Sequence, residues 1–465
     1  MPPSTTEEAG RVVRLYAGKL FDPYRLELLS RRVVTVSPDT GLILDVQPYS
    51  LEQLEDVDLS DENEIDLRTS TVLPGFVDTH VHLFLHPYAE TSWEDQLTKE
   101  SLVERTVRAT VHAKRTLMAG YTTVRDLGTE GAEDADIQLR KCLSGANPLI
   151  PGPRYFCANR AIIASGSYGP RSNLHLHQDG VECVTGAQFV DGEAECIKAV
   201  RKQVGAGADW IKIYADYRVR ARVADVSAKV ASADIQTFSD NELTTLITTA
   251  RQLGVKVAAH AQTWRPELLP ENGGVDTLEH GNNLGASDQL IDAIQRSNII
   301  WVPTLSVFYT SDTEKTPGGR WDRTAKNFQR ALARGVTNIA CGGDTGPFPH
   351  GDNALEMKLM VRLGADWRQV LRWATLGGWQ CIRSTAWEGA EGAARLAKVA
   401  ELRESPALVG DNEVPFGVVS RGFAADIVAT SGDLENDFEN AVDKGNITFV
   451  MKAGKVFKRN GQELV

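Results

Sequence analysis

His80 and His82 stand one residue apart at the end of the apolar run Val72-Leu73-Pro74-Gly75-Phe76-Val77-Asp78-Thr79. On a strand, side chains at i and i+2 leave the same face, so the two imidazoles point one way. Neutral imidazole is the commonest protein ligand for zinc and its neighbours, and two of them at a strand end make half a metal site. The tripeptide alone fits a plain surface His-x-His equally well, because it does not say where further ligands come from. Other polar groups punctuate later apolar runs. Lys212 interrupts Trp210-Ile211-Lys212-Ile213-Tyr214, His260 closes Lys256-Val257-Ala258-Ala259-His260, His280 closes Thr277-Leu278-Glu279-His280, and Asp344 follows Cys341-Gly342-Gly343. Four histidines, an aspartate and a lysine at such places are far more specific than the first pair by itself.

The elements that would bring these groups together alternate as strand and helix. Apolar runs at 72–82, 122–126, 154–158, 210–214, 256–260, 277–280, 299–304 and 338–342 are separated by helical segments, among them roughly 100–119, 192–204 and one started by Asp240. Eight short strands alternating with helices predict an α/β fold, a (β/α)8 TIM barrel. In that fold the C-terminal strand ends face the active-site mouth, where the groups above fall. The two ends of the chain read differently. Short strands at 11–17, 32–36 and 42–47, with turn signals at Asp22-Pro23 and 37–41, are matched in style by 424–429, 447–451 and 454–457. Neither set buries an apolar face alone, which predicts one small β-sandwich domain built from both termini. The expected division is 1–71 plus 405–465 for that domain and 72–404 for the barrel.

On these residues the chain resembles the amidohydrolase superfamily, in particular its binuclear, metal-dependent branch with a carboxylated lysine, which includes prolidase-like, ochratoxinase-like and imidazolonepropionase-like sequences. The resemblance runs from Leu73-Pro74-Gly75-Phe76-Val77-Asp78-Thr79-His80-Val81-His82 through Asp209-Trp210-Ile211-Lys212-Ile213-Tyr214 and Asp276-Thr277-Leu278-Glu279-His280-Gly281 to Val450-Met451-Lys452-Ala453-Gly454-Lys455. It implies two divalent metal ions, zinc first among them. One would be held by His80, His82 and Asp344 and the other by His260 and His280, with Lys212, carboxylated by carbon dioxide, bridging both. Burial and nearby cations lower a lysine's pKa, and the neutral amine can form a carbamate. The alternative for Lys212 is a side chain snorkelling from the barrel wall.

The activity the resemblance implies is hydrolysis of an amide or peptide-like C–N bond, of amidase, dipeptidase or carboxypeptidase type, by a metal-bridging hydroxide, with Asp344 moving the proton. A mononuclear deaminase, or an imidazolonepropionase, needs no bridging group at Lys212. Cyclic-amide and lactone hydrolysis occur in the same superfamily. A catalytically inactive scaffold would have lost ligands, whereas all six positions are filled here. Relatives pass quickly from Ala374-Thr375-Leu376-Gly377-Gly378 into the second β segment. This chain adds an Ala/Glu/Arg-rich run at about 387–404 with the composition of an amphipathic helix, expected to cover the barrel or form a subunit contact.

The remaining histidines of the nine divide by context. His175-Leu176-His177 reads as a solvated loop pair, His112 as structural within a helical run, and His86 as a loop residue. His350, in Pro349-His350-Gly351-Asp352-Asn353, is a candidate substrate contact. Arg171, Tyr217 and Arg218, in loops over the expected mouth, are candidates for binding a carboxylate. Composition narrows the partners. A formal net charge of −12 over 465 residues argues against nucleic acid and anionic membranes, both of which call for basic patches. No apolar run is long enough to span a bilayer. The first residues lack the basic start and apolar core of a signal peptide, so a cytoplasmic location is expected. Six scattered cysteines, with no Cys-x-x-Cys pair, read as reduced thiols. The expected partner is a small-molecule substrate, and a homo-oligomer is expected.

Overall fold

The computed structural model describes residues 11–55, 57–145, 147–168, 186–217, 234–263, 268, 273–282, 288–399 and 412–465. Strands from the two ends of the chain share one eight-stranded sheet. Leu42–Pro48, Glu27–Ser37 and Val13–Asp22 pair antiparallel in that order. Val13–Asp22 then pairs parallel with Glu64–Pro74, which pairs antiparallel with Ile427–Thr430. Ile447–Lys452, Lys455–Arg459 and Gln462–Glu463 complete the row. Leu15, Val34, Val36 and Ile65 from one end and Ile427, Phe449 and Met451 from the other lie in a single apolar cluster. That shared burial is why neither end suffices alone. The sheet curls until Leu42 bridges Ala424 and Ile43 N–H donates to Phe423 O at 2.9 Å. It is thus one hydrogen-bonded layer closing on itself, where two facing layers were expected.

The expected first run, 72–82, is split. Val72–Pro74 belongs to the terminal sheet, while Phe76–Val81 pairs parallel with Tyr121–Asp126. Gly75 is the joint. Its N–H donates to Asp426 O at 2.8 Å, and a Cβ added there would lie 2.1 Å from Thr122 Oγ1. Gly75→Ala is therefore expected to destabilise the fold by about 1–3 kcal/mol through overpacking, read as a lower urea midpoint; an unchanged midpoint would show that the joint has room.

Between the two ends, Phe76–Val81, Tyr121–Asp126, Trp210–Tyr214 and Lys256–Ala261 pair parallel with their neighbours and are buried along their length, as strands covered on both faces must be. Phe76–Val81, Tyr121–Asp126 and Arg154–Cys157 form a three-stranded sheet. A six-stranded sheet runs Ile300–Val302, Thr277–His280, Lys256–Ala261, Trp210–Tyr214, Ala161–Ile163 and Ala187–Phe189. The third run breaks at Asn159, which has a left-handed φ of 59°, and Ala161–Ile163 continues beyond it. The eighth run forms no regular strand. It makes single parallel bridges instead, Ile339 to Trp301 on one side and Thr345 to Val81 on the other. It therefore lies between the seventh and first strands. Gly342 permits that approach, since a Cβ there would meet Thr79 Oγ1 and Val302 Cγ1, each at 2.7 Å.

Helices Leu102–Met118, Gly192–Ala206 and Asp240–Gln252 connect strands, the last opened by a Ser239/Glu242 capping box. The added run near 387–404 holds the helix Gly389–Ala397, with 400–404 outside the described residues. Just before that helix, Glu388 pairs with Lys256 Nζ at 2.7 Å and Trp387 packs on Trp379. Lys256 opens the strand that His260 closes, so the run begins by covering the end of the strands opposite the histidines. Among the described residues, no helix is long and apolar enough to cross a membrane.

Candidate metal centre

The C-terminal strand ends bring the imidazoles together. The ring centroids of His80 lie 5.4 Å from those of His82 and 5.2 Å from His280, and His260 lies 4.5 Å from His280. Asp344 Oδ1 stands 3.1 Å from His82 Nε2 and 3.7 Å from His80 Nε2. Potential ligand atoms of His80, His280 and Asp344 all lie within 4.8 Å of one another. Lys212 is on the strand paired with that of His260, 1 % exposed, and its Nζ has no hydrogen-bond partner.

Three of the histidines are oriented through Nδ1, which leaves Nε2 for the centre. His80 Nδ1 bonds Glu279 Oε2 at 2.8 Å, His82 Nδ1 bonds Gly128 O at 2.8 Å, and His280 Nδ1 bonds Thr304 Oγ1 at 2.8 Å. Outer partners of this kind fix ring orientation and tautomer in metal sites. Glu279 is held in turn by Arg125 Nη2 at 2.8 Å and Thr277 Oγ1 at 2.5 Å, and the Arg125 guanidinium lies over the Trp210 ring. The backbone bends sharply at these ends. His280, Thr304 and Asp344 have φ values of 72°, 51° and 58°, a left-handed region that side chains rarely adopt and that clusters at functional sites.

Burial sets the protonation of the group. It pushes the imidazoles of His260 and His280 well below their ordinary range, and that of His80 to about 4. They are therefore neutral, as a metal ligand must be. Burial also lowers the Lys212 ammonium to about 8, against the opposing pull of Glu279 and Asp344. Asp344 is partly buried, which opposes ionisation, yet the facing imidazoles of His80 and His82 hold its carboxyl far below the usual carboxylate range. For His82, burial favours the neutral ring, but contact with Asp344 outweighs it and raises the imidazole to about 9. Three neutral imidazoles, a fourth in His82 that would give up its proton to a bound metal, an ionised carboxylate and an orphaned buried amine form a donor set that fits a divalent metal centre.

The centre opens into a cleft of about 200 Å³ lined by His80, His82, His260, His280, Asp344 and a tyrosine wall. Tyr214 stacks on His260 at 4.6 Å and Tyr217 lies 5.4 Å from it, so Tyr217, a candidate from the sequence, does face the cleft. His350 does not. It is buried, stacked on His112 at 4.3 Å, with Nε2 bonded to Leu85 O at 3.0 Å. Its place is under the loop after the first strand, and the expected substrate contact is corrected accordingly. His112 bonds Leu83 O, and His86 lies in the loop after the first strand, as expected, but is buried there between Glu90 and Glu100. Arg171, Arg218, His175 and His177 lie outside the described residues. Glu279, Arg125 and Thr304 are not among the residues that the sequence pattern singles out. An ionisable residue inside each of Leu278-Glu279-His280 and Thr123-Val124-Arg125-Asp126 was the available signal, since a buried charge needs a partner.

The amidohydrolase family model matches residues 71–385 of the chain. Ochratoxinase of Aspergillus niger is 26% identical over 424 residues, covering 85% of this chain and 77% of that protein. The crystal structure of a Xaa-Pro dipeptidase with bound methionine superposes with a TM-score of 0.74 at 24% identity, covering 96% of this chain and all of that one. The crystal structure of the A. niger ochratoxinase does so with a TM-score of 0.71 at 21% identity, covering 97% of this chain and 96% of that one.

Proposed function

Because the chain belongs to the amidohydrolase family, we propose that this hydrolase cleaves an amide or peptide-like C–N bond at a binuclear metal centre set in the mouth of a closed (β/α)8 barrel. The observation that carries the binuclear reading is Lys212 Nζ, buried among the histidines without a hydrogen-bond partner. A lone tetrahedral ion would leave that amine unused, whereas a carbamate formed on it would supply an anionic ligand to a second ion. His80, His82 and Asp344 would hold one ion, His260 and His280 the other, with Lys212 between. Ions held there, zinc by donor chemistry, would lower the pKa of water and polarise the scissile carbonyl.

The chain's own groups do the rest. Glu279 and Thr304 keep His80 and His280 in place. Asp344 Oδ accepts a proton from the attacking water and delivers it to the departing nitrogen as the C–N bond breaks and the new C–O bond forms. Tyr214 and Tyr217 line the cleft wall beside His260. Proximity to A. niger ochratoxinase and to a Xaa-Pro dipeptidase structure supports an amide as the substrate bond.

Elemental analysis of protein grown with ample zinc is expected to give close to two ions per chain, and one ion or none would overturn the binuclear centre. The metal-loaded protein should be screened against N-acylated amino acids, X-Pro dipeptides, ochratoxin-like amides and lactones. Amine release from an amide series supports the assignment, and turnover confined to lactones overturns the C–N bond.

A further inference from the structure

Two residues past the carbonyl that holds His82, a carboxylate stands in the cleft wall with no part in the chemistry above. Glu130 is only 2 % exposed yet lines the cleft with His82, Tyr88, Tyr168 and Tyr214. Its Oε2 accepts from Trp93 Nε1 at 2.9 Å and Tyr168 Oη at 2.5 Å, and among the described residues no donor is directed at Oε1. Arg105, whose charge reaches Glu130, directs Nε and Nη2 to the carbonyls of Phe84 and Thr129 instead.

The backbone at Glu130 is left-handed, with φ 49°, a conformation that glycine or asparagine holds with less strain. Anchoring Trp93 and Tyr168 calls for an acceptor and not for a charge, and a buried charge is unfavourable unless compensated. Tyrosine rings surround the same space. Tyr168 lies 5.1 Å from both Tyr214 and Tyr217, and those two lie 5.6 Å apart. Aromatic rings and a carboxylate lining one cleft are the chemistry that receives an organic cation.

We propose that Glu130, with Tyr88, Tyr168 and Tyr214, forms a subsite for a cationic group, an ammonium or guanidinium, carried by the substrate. The proposal rests on the reading of this cleft as the substrate site of a C–N hydrolase. It makes Glu130 a specificity residue: the free oxygen pairs with the cation, and the cation compensates a charge that the protein otherwise buries.

Three pairs of substrates test it, each a cation against a neutral counterpart: Ala-Arg and Ala-citrulline, Arg-Ala and citrulline-Ala, and Ala-citrulline and its N-acetyl form. Wild type is expected to prefer the cationic member of at least one pair by about tenfold or more in kcat/KM, the range of a charge-assisted hydrogen bond. Glu130→Gln, which still accepts from Trp93 and Tyr168, should bring that ratio to within about twofold with metal content unchanged. No preference in any pair, or the same ratio in the variant, overturns the subsite. If no dipeptide is cleaved, the C–N reading fails, and calorimetry with pentylguanidinium against pentylurea decides the subsite separately. Tighter binding of the cation, lost in Glu130→Gln, supports it, and equal binding overturns it.

Discussion

Asp344→Asn is expected to keep most of its metal and to lose at least about a hundredfold in kcat, within the range typical of general acid–base groups. The asparagine still presents one oxygen where Asp344 Oδ1 faces His82 Nε2 at 3.1 Å, so ligation survives in part, but the amide takes no proton. The loss should sit in kcat rather than in KM, because proton transfer matters in the transition state and hardly at all in substrate binding. Metal analysis alongside steady-state kinetics separates the two roles. Near-normal kcat with both metals in place would show that another group moves the proton. His350 would not be the substitute, since its ring is stacked on His112 and bonded to Leu85 O away from the cleft.

Lys212→Ala is expected to lose metal and with it all activity above background, and acetate or propionate should restore part of both. The side chain is buried on the strand beside that of His260, so its removal leaves a space that a small carboxylate fits. Burial lowers the ammonium to about 8, which supplies at neutral pH the unprotonated fraction that carbon dioxide requires. Metal content equal in mutant and wild type would end the bridging role. Loss of metal without any rescue would point instead to a packing role for the lysine stem.

Much of this centre is written in local pattern. A strand repeats every two residues, so His80 and His82 must point together wherever the strand lies. Lys212, His260 and His280 each end or interrupt an apolar run, and a polar group there has to face either water or a site. Strands at the two ends of the chain were also legible as incomplete parts of one β domain, but their joining in a single sheet rather than a sandwich was not. The sequence left open the partners that cross the molecule. Arg125 and Glu279 are 154 residues apart, and no periodicity relates them; they meet only because parallel strands from separate segments bring their buried charges face to face. Thr304 reaches His280 from the end of the neighbouring parallel strand, through a left-handed backbone that propensity does not announce. His350 carries no mark that distinguishes a cleft residue from one buried under a loop. The split of 72–82 at Gly75 likewise depends on Thr122, a neighbour supplied by another strand. Residue type and spacing determined which groups could bind a metal, because both act along the chain. Tertiary packing alone decided which of them are aimed, neutral and shielded, because orientation and desolvation come from residues distant in sequence.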